Sequence, residues 1–188
     1  MSRAVFLDRD GVLNRVVLRD GRPSPPSSVD ELEMLPGVAG ALASLRRAGF
    51  RLIVVTNQPD VRTGRQRREI VEAMHERLRQ ALPIDEIRVC YHTDEDGCGC
   101  RKPKPGLLLD AARTWGLDLS RCVLVGDRWR DIEAGKAAGC QTILVKASYA
   151  ERQAEEPDAV VSSLAEASAL ILSRWAAQEP TGVRHETR

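Results

Sequence analysis

Two aspartates stand at the end of the first apolar segment of the chain. Asp8 and Asp10 follow the apolar residues 5–7, and Gly11 comes directly after them. If this segment is a strand of a parallel sheet, both carboxylates lie at the edge where such sheets bind ligands. One carboxylate can then act as a nucleophile and the other as a general acid and base. A capping aspartate in an ordinary turn would give the same pattern, so the rest of the chain must decide.

Other polar residues follow later apolar segments in the same way. Residues 51–55 lead into Thr56 and Asn57, residues 122–125 lead into Asp127 with Asp131 nearby, and Lys102 lies in the basic run 101–104. The carboxyl ends of parallel strands converge, so these groups are expected to meet. Carboxylates, a hydroxyl and a lysine together are typical of phosphoryl transfer with Mg²⁺.

The segments that must position these groups alternate between strand and helix patterns. Strands are predicted at residues 5–7, 51–55, 87–91, 122–125, 141–145 and 159–161. The first helix is predicted to end at Gly49, and the second to begin at a Thr63 cap. The third is predicted to run from Pro105 to Gly116, the fourth to cover 131–139, and the last to extend from Ser162 or Ser163 to about Trp175. This alternation favours an α/β fold, a doubly wound Rossmann-like parallel sheet with helices on both faces. Residues 14–35, rich in Pro and Gly, are predicted to form a loop or small flap beside the active edge.

Length and charge narrow the class of protein. With 188 residues we expect one domain over residues 1–176, followed by a disordered tail at 177–188. The formal net charge of +1 gives no basic face for nucleic acid. No apolar run approaches the roughly 18 residues of a membrane span, and the N-terminus lacks a signal-peptide pattern. A cytoplasmic monomer without nucleic-acid or membrane partners is the expectation.

Cysteine and histidine are crowded at residues 90–100. Cys90 and His92 form one pair, Cys98 and Cys100 form a second, and a five-residue loop separates the pairs. Three thiolates and an imidazole without an open position suit a closed, structural Zn²⁺ site, although incidental thiols near a surface histidine would look the same. The two other histidines, His75 and His185, are interpreted as surface residues.

The motifs resemble those of the haloacid dehalogenase (HAD) superfamily of phosphohydrolases, and they occur in order over nearly the whole chain. The resemblance implies that Asp8 attacks phosphorus to form an aspartyl-phosphate, while Asp10 protonates the leaving alcohol and later activates water. Proximity to Asp8 is expected to raise the affinity of Asp10 for a proton. Further implied roles are phosphoryl binding (Thr56, Lys102) and Mg²⁺ binding (Asp8, Asp127, the main-chain carbonyl of Asp10). Asp131 is interpreted as a supporting residue of the site, although a favourable negative charge at the N-terminus of its helix would also explain it.

The zinc loop, with the motif 98–103 and residues 56–58, narrows the resemblance to one branch. This branch, subfamily IIIA, contains heptose 1,7-bisphosphate phosphatases and histidinol-phosphate phosphatases, which have a minimal cap. It implies a small sugar phosphate as substrate, most simply the 7-phosphate of a heptose bisphosphate, gripped by Asn57, Arg101, Arg128 and Arg19. Histidinol phosphate is the alternative, because the short zinc loop is similar to that of the histidinol phosphatases and Pro59 with Asp60 departs from the usual pattern. A phosphotransferase or an inactive zinc-stabilised binding module are further readings.

Overall fold

The computed structural model describes residues 3–19, 21–147, 149 and 152–176. Within these ranges the chain alternates strands and helices, as the sequence predicts. The strands are β1 (Ala4–Leu7), β2 (Val17–Arg19), β3 (Arg22–Ser24), β4 (Arg51–Asn57), β5 (Glu86–Cys90), β6 (Val123–Gly126), β7 (Gln141–Val145) and β8 (Ala159–Val161). The α-helices are α1 (Val38–Arg47), α2 (Arg68–Ala81), α3 (Gly106–Trp115), α4 (Trp129–Ala138) and α5 (Leu164–Ala176).

Six of the strands form one parallel sheet in the order β5-β4-β1-β6-β7-β8. The chain starts in the middle of the sheet at β1, builds outward through β4 and β5, and then returns to build the other half through β6, β7 and β8. The strand order therefore reverses beside β1. Such a switch point opens a crevice at the carboxyl ends of the strands, where ligands bind in open α/β sheets.

Two hydrophobic cores lie on opposite faces of this sheet. Alternate residues of a strand point to opposite faces, and in β1 Val5 belongs to the core that includes α1, α2 and α5, while Phe6 belongs to the core that includes α3 and α4. Leu52 and Ile53 divide between the same two cores in β4. The predicted doubly wound sheet with helices on both faces is confirmed.

Element boundaries agree with the sequence in most places. Gly49 and Gly116, with φ of 84° and 58°, lie in the left-handed region just after their helices, as predicted. The Thr63 cap is wrong, because α2 begins five residues later at Arg68 and the Thr63 hydroxyl donates to the carbonyl of Asp60 in the preceding turn. Ser163 does cap α5, since its Oγ atom accepts a hydrogen bond from the Glu166 amide at 3.2 Å.

The segment after the first aspartates forms the predicted small flap. Its centre is an antiparallel hairpin of β2 and β3, which stands apart from the main sheet. Asn14 and Met34 pair as an isolated bridge at the base of the flap. Among the helices of the described ranges, none has both the length and the apolar character needed to cross a membrane. The tail at 177–188 lies outside the described residues.

Candidate active site and metal cluster

Three carboxylates and one lysine meet at the carboxyl edge of the sheet. Asp8 follows β1, Asp127 follows β6, and Asp131 lies in the first turn of α4; oxygen atoms of the three lie within 4.8 Å of one another. The Nζ atom of Lys102 reaches into this group, 2.7 Å from Asp8 Oδ1 and 2.5 Å from Asp131 Oδ1. All four side chains are nearly excluded from water. The group is therefore a buried charge cluster with more negative than positive charge.

The pKa values of the cluster reflect its excess of negative charge. Burial raises the pKa of Asp8 to about 6; Lys102 opposes the shift, while Asp131 and Asp10 add to it. Burial, followed by the charges of Asp8 and Asp131, also raises the pKa of Asp127. In Lys102 burial opposes the charged form, but Asp131 and Asp8 outweigh it and raise the pKa.

The acidic cluster fits a divalent cation. The Oδ1 atom of Asp127 is buried and has no hydrogen-bond partner among the described atoms, so one acceptor is left for a ligand. Carboxylate oxygens are the donors that Mg²⁺ prefers. Gly11 lies against this site with φ of 89°, and a Cβ atom there would meet Asp127 Oδ2 at 2.0 Å. A side chain at position 11 would therefore clash with that oxygen, which also accepts a hydrogen bond from the Tyr149 hydroxyl.

Asp10 has an environment different from that of Asp8. Arg9 Nη2 donates to its Oδ1 and Oδ2 atoms at 3.0 and 2.9 Å, and Asn14 and Gln58 donate to Oδ1 and Oδ2 at 2.9 and 2.8 Å. Burial favours the neutral acid, but the Arg9 charge and these hydrogen bonds outweigh it and lower the pKa of Asp10. The expectation that Asp8 raises the proton affinity of Asp10 is wrong for this structure. The guanidinium of Arg9, next to Asp10 in the sequence, decides the direction of the shift.

Thr56 and Asn57 end β4 beside this cluster. Thr56 Oγ1 accepts a hydrogen bond from Gln58 Nε2 at 3.0 Å. Asn57 instead holds the loop that carries Lys102: its amide donates to the Lys102 carbonyl at 3.0 Å and accepts from the Lys102 amide at 3.1 Å. Asn57 thus positions Lys102 as well as facing the cavity.

A cavity of about 290 Å³ opens over these residues. It brings together Asp8, Asp10, Thr56, Asn57, Lys102 and Asp131 with four arginines, namely Arg65, Arg101, Arg128 and Arg130. Asp127 lies below, lining a separate cavity on the side of the flap. Arg19 is not brought to the catalytic cavity, because its guanidinium is held by Glu31 Oε2 at 2.6 Å and by the Pro25 carbonyl at 2.7 Å. The neighbouring residues Val16 and Pro23 line it instead.

An acidic residue of the zinc loop links two of these arginines. Asp94 accepts from Arg101 Nε at 2.9 Å and from Arg130 Nη1 and Nη2 at 3.0 and 3.1 Å. Both guanidiniums are thereby fixed at the rim of the cavity, one from the loop and one from α4. Sequence reasoning missed Arg130 and Asp94, although the acidic residues of the loop offered a signal.

The predicted zinc ligands form a compact cluster. Pairs of sulfur atoms lie 3.3 to 3.7 Å apart among Cys90, Cys98 and Cys100, and His92 Nδ1 lies 3.6 and 3.4 Å from the sulfurs of Cys90 and Cys100. Tetrahedral Zn²⁺ with ordinary bond lengths needs about 3.8 Å between sulfurs and about 3.5 Å between sulfur and nitrogen. The four side chains are thus compatible with a structural zinc site.

Two further buried residues support the catalytic edge and were not predicted to do so. His75, interpreted as a surface residue, is fully buried in α2, and its Nε2 atom lies 3.1 Å from Arg9 Nη1. Gln58 is buried between Asp10 and Thr56. His75 occupies the buried face of its helix next to Met74, so its position in the apolar stripe was the available signal. His185 lies outside the described residues.

Comparison with known proteins gives this geometry a family. A model described as HAD-hydrolase-like matches residues 99–167. The D-glycero-beta-D-manno-heptose-1,7-bisphosphate 7-phosphatase of Pseudomonas aeruginosa is 38% identical over 163 residues, covering 84% of this chain and 89% of that protein. The enzyme of the same name from Pseudomonas putida is 36% identical over 159 residues, covering 82% and 88%.

A solved structure agrees in fold as well as in sequence. The D,D-heptose 1,7-bisphosphate phosphatase of B. bronchiseptica, complexed with magnesium and phosphate, is 32% identical and covers 93% of this chain and 99% of its own, with a TM-score of 0.77. The sequence identity extends over most of both chains. This chain also has an acidic cluster and a lysine at the carboxyl edge of its sheet. The chain belongs to the haloacid dehalogenase-like family of phosphatases.

Proposed function

We propose that this protein hydrolyses the 7-phosphate of D-glycero-D-manno-heptose 1,7-bisphosphate in a magnesium-dependent reaction. The observation that carries the proposal is the buried cluster of Asp8, Asp127 and Asp131, in which Lys102 pairs with Asp8 and Asp131. These last three residues line a cavity rimmed by arginines. An anionic substrate suits that rim, because arginine binds phosphate oxygens in a bidentate geometry. The similar proteins named above carry the same activity in their names.

The first step belongs to Asp8. A carboxylate oxygen of Asp8 forms a bond to phosphorus, the bond from phosphorus to the sugar oxygen breaks, and that oxygen takes a proton from Asp10. A carboxylate and a phosphate repel each other, so positive charge is needed at the phosphoryl oxygens. Lys102 supplies part of it. Asp8, Asp127 and the main-chain carbonyl of Asp10 would hold Mg²⁺, which supplies the rest when bound.

The second step returns the enzyme to its starting state. Asp10 accepts a proton from water, the water oxygen attacks phosphorus of the aspartyl-phosphate, and inorganic phosphate leaves Asp8. The lowered pKa of Asp10, where burial is outweighed by Arg9 and by the hydrogen bonds around it, suits this role as base. A phosphate dianion beside Asp10 would raise its pKa for the first step.

The remaining assignments follow from position. Thr56 would donate to the transferring phosphoryl group, and Arg101 and Arg128 would bind the rest of the substrate, with Arg130 beside them. Asp131 supports the site by pairing with Lys102 and accepting from the Arg128 amide at 3.1 Å. Zn²⁺ held by the four-residue cluster would be structural. Reduced thiols in that cluster favour a cytoplasmic location.

Phosphate release across a panel of substrates tests this function. The panel contains the heptose 1,7-bisphosphate, histidinol phosphate and common hexose phosphates, each with Mg²⁺ and with a chelator weak enough to spare zinc. We expect the highest kcat/KM for the heptose bisphosphate and none without Mg²⁺. Preference for histidinol phosphate, the alternative that the short zinc loop favours, would overturn the substrate assignment. Phosphate appearing on an added alcohol instead of in solution would indicate a phosphotransferase.

A further inference from the structure

A buried contact joins helix α2 to the general acid and base of the site. Arg9, which lies between Asp8 and Asp10 in the sequence, is completely buried, and so is His75. Their Nη1 and Nε2 atoms are 3.1 Å apart, although the residues are 66 positions apart in the chain. A guanidinium buried in a protein core needs partners on every face, because each unpaired N–H there is costly.

Most of the Arg9 guanidinium is committed to Asp10. Nη2 donates to both carboxylate oxygens, and Nε lies 3.2 Å from Oδ1. Nη1 points the other way, toward α2. The contact of Nη1 with His75 therefore pairs the side of the guanidinium that faces away from Asp10. It also fixes the plane of the guanidinium in which Nε and Nη2 meet Asp10.

The chemistry of arginine selects one form of the histidine. Arginine has only donors, so Nε2 of His75 must accept and the ring proton must be on Nδ1. The Oε2 atom of Glu72 lies 3.6 Å from that Nδ1 atom. Burial, and then the charge of Arg9, lower the pKa of His75 to about 4, with Glu72 opposing the shift. The neutral ring is thus the stable form near neutral pH.

We propose that His75 is a positioning residue for this reaction: by accepting a hydrogen bond from Arg9, it fixes the guanidinium that aims the Asp10 carboxylate at the leaving oxygen. The proposal rests on the proposed function for the role given to Asp10. His75 itself touches neither substrate nor the reacting atoms. The competing explanation is a histidine that only fills the core between α2 and the sheet.

The two explanations differ in how the leaving group affects the rate. A sugar alkoxide needs a proton from Asp10 as it departs, whereas p-nitrophenolate is stable enough to leave without one. The parameter kcat/KM covers only steps up to that departure. A misaimed Asp10 therefore slows a sugar phosphate more than p-nitrophenyl phosphate, while a general loss of folded protein slows both equally.

The test compares three variants with the wild type. His75→Leu fills the space without an acceptor, His75→Gln keeps an acceptor near the position of Nε2, and Leu45→Ala removes an apolar side chain of the same core on α1. We expect the ratio of kcat/KM for the sugar phosphate to that for p-nitrophenyl phosphate to fall about tenfold in His75→Leu. The ratio should stay within about twofold of wild type in His75→Gln and Leu45→Ala. An unchanged ratio in folded His75→Leu would overturn the proposal.

A second measurement does not depend on the substrate assignment. The chain has three histidines, so nitrogen-15 NMR of the labelled protein can resolve the tautomer of His75. We expect an unprotonated Nε2 and a protonated Nδ1 at pH 7; a protonated Nε2 contradicts the inference. If the wild type cleaves p-nitrophenyl phosphate but not the heptose bisphosphate, the proposed substrate fails, and the ratio is measured with the best sugar phosphate of the panel instead.

Discussion

The Nζ atom of Lys102 lies 2.7 Å from the Oδ1 atom of Asp8, although the two residues are 94 positions apart in the chain. The lysine comes from the loop that follows the zinc cluster, and the aspartate from the first strand. The proposed nucleophile and its counter-charge therefore depend on two separate parts of the fold.

Replacing Lys102 by methionine should remove activity and stability together. The side chain keeps its length but leaves Asp8 and Asp131 buried without their cation. Loss of one partner from a buried ion pair costs about 3 to 5 kcal/mol. We expect this loss in urea denaturation of the magnesium-free protein, and kcat/KM lowered by at least about 100-fold. Lys136→Met, on the outer side of α4, is the control; equal stability of the two variants would contradict the account.

Removing one zinc ligand should empty the metal cluster. Cys98→Ser should lose bound zinc in elemental analysis, because three remaining ligands do not close a tetrahedral site. We expect the Tm to fall by about 6 to 12 °C, the shift that a loss of about 3 kcal/mol produces in a domain of this size. Cys140→Ala serves as the control, since that buried cysteine is outside the cluster. Wild-type protein purified without chelator and containing no zinc would refute the site.

Asp94→Ala should weaken substrate binding more than chemistry. The carboxylate holds Arg101 and Arg130 at the cavity rim, away from the cluster around Asp8. A change limited to binding raises KM and leaves kcat nearly constant. We expect KM to rise about twofold to fivefold, the cost of losing a partly exposed charge interaction. Asp110→Ala removes a partly exposed aspartate of α3 as a control. A fall in kcat with unchanged KM would assign Asp94 a different role.

His75 should make the fold sensitive to acid. Burial, with the Arg9 charge second, lowers its pKa to about 4 in the folded protein, against about 6.5 in an unfolded chain. Between these values the unfolded chain binds more protons, so stability rises with pH and is lost as the pH falls from about 6.5 to 4. The loss should amount to at most about 3 kcal/mol.

The His75→Gln variant isolates this contribution. Asp8, whose pKa burial raises to about 6, titrates in the same range, but it is present in both proteins. Urea titrations at several pH values give the free energy of unfolding of the wild type and of the variant. The two values should approach each other as the pH falls, because the wild type loses stability relative to the variant. Parallel curves would show that His75 is not buried in its neutral form.

Much of this molecule could be predicted from its sequence because local patterns report directly on backbone geometry. Apolar segments that end in polar residues predicted the parallel sheet. They also predicted that Asp8, Asp127 and Lys102 meet at its edge. The cluster of three cysteines and one histidine was equally clear, since its spacing is local. What the sequence could not give was pairing across the fold: Arg9 with His75, Asp94 with Arg130, and Arg19 with Glu31. Those contacts depend on how loops and helix faces pack.

The same limit explains the error over the protonation of Asp10. Two carboxylates one residue apart suggest mutual repulsion, and only the structure shows Arg9 turned onto Asp10, with Asn14 and Gln58 completing its hydrogen bonds. Likewise, a histidine beside an apolar helical stripe can be either buried or exposed. His75 is buried because of the residues that pack around it in the folded chain, which the sequence pattern does not show.

The central claim is that Asp8 is the nucleophile, and Asp8→Asn tests it most directly. The amide keeps the size of the side chain but is a far poorer nucleophile than a carboxylate. Phosphate release from the heptose bisphosphate is measured beside Asp110→Asn, with zinc content and Tm as checks on the fold. We predict a loss of at least about 1,000-fold in kcat for Asp8→Asn alone. Near-normal turnover by folded, zinc-containing Asp8→Asn would contradict the account.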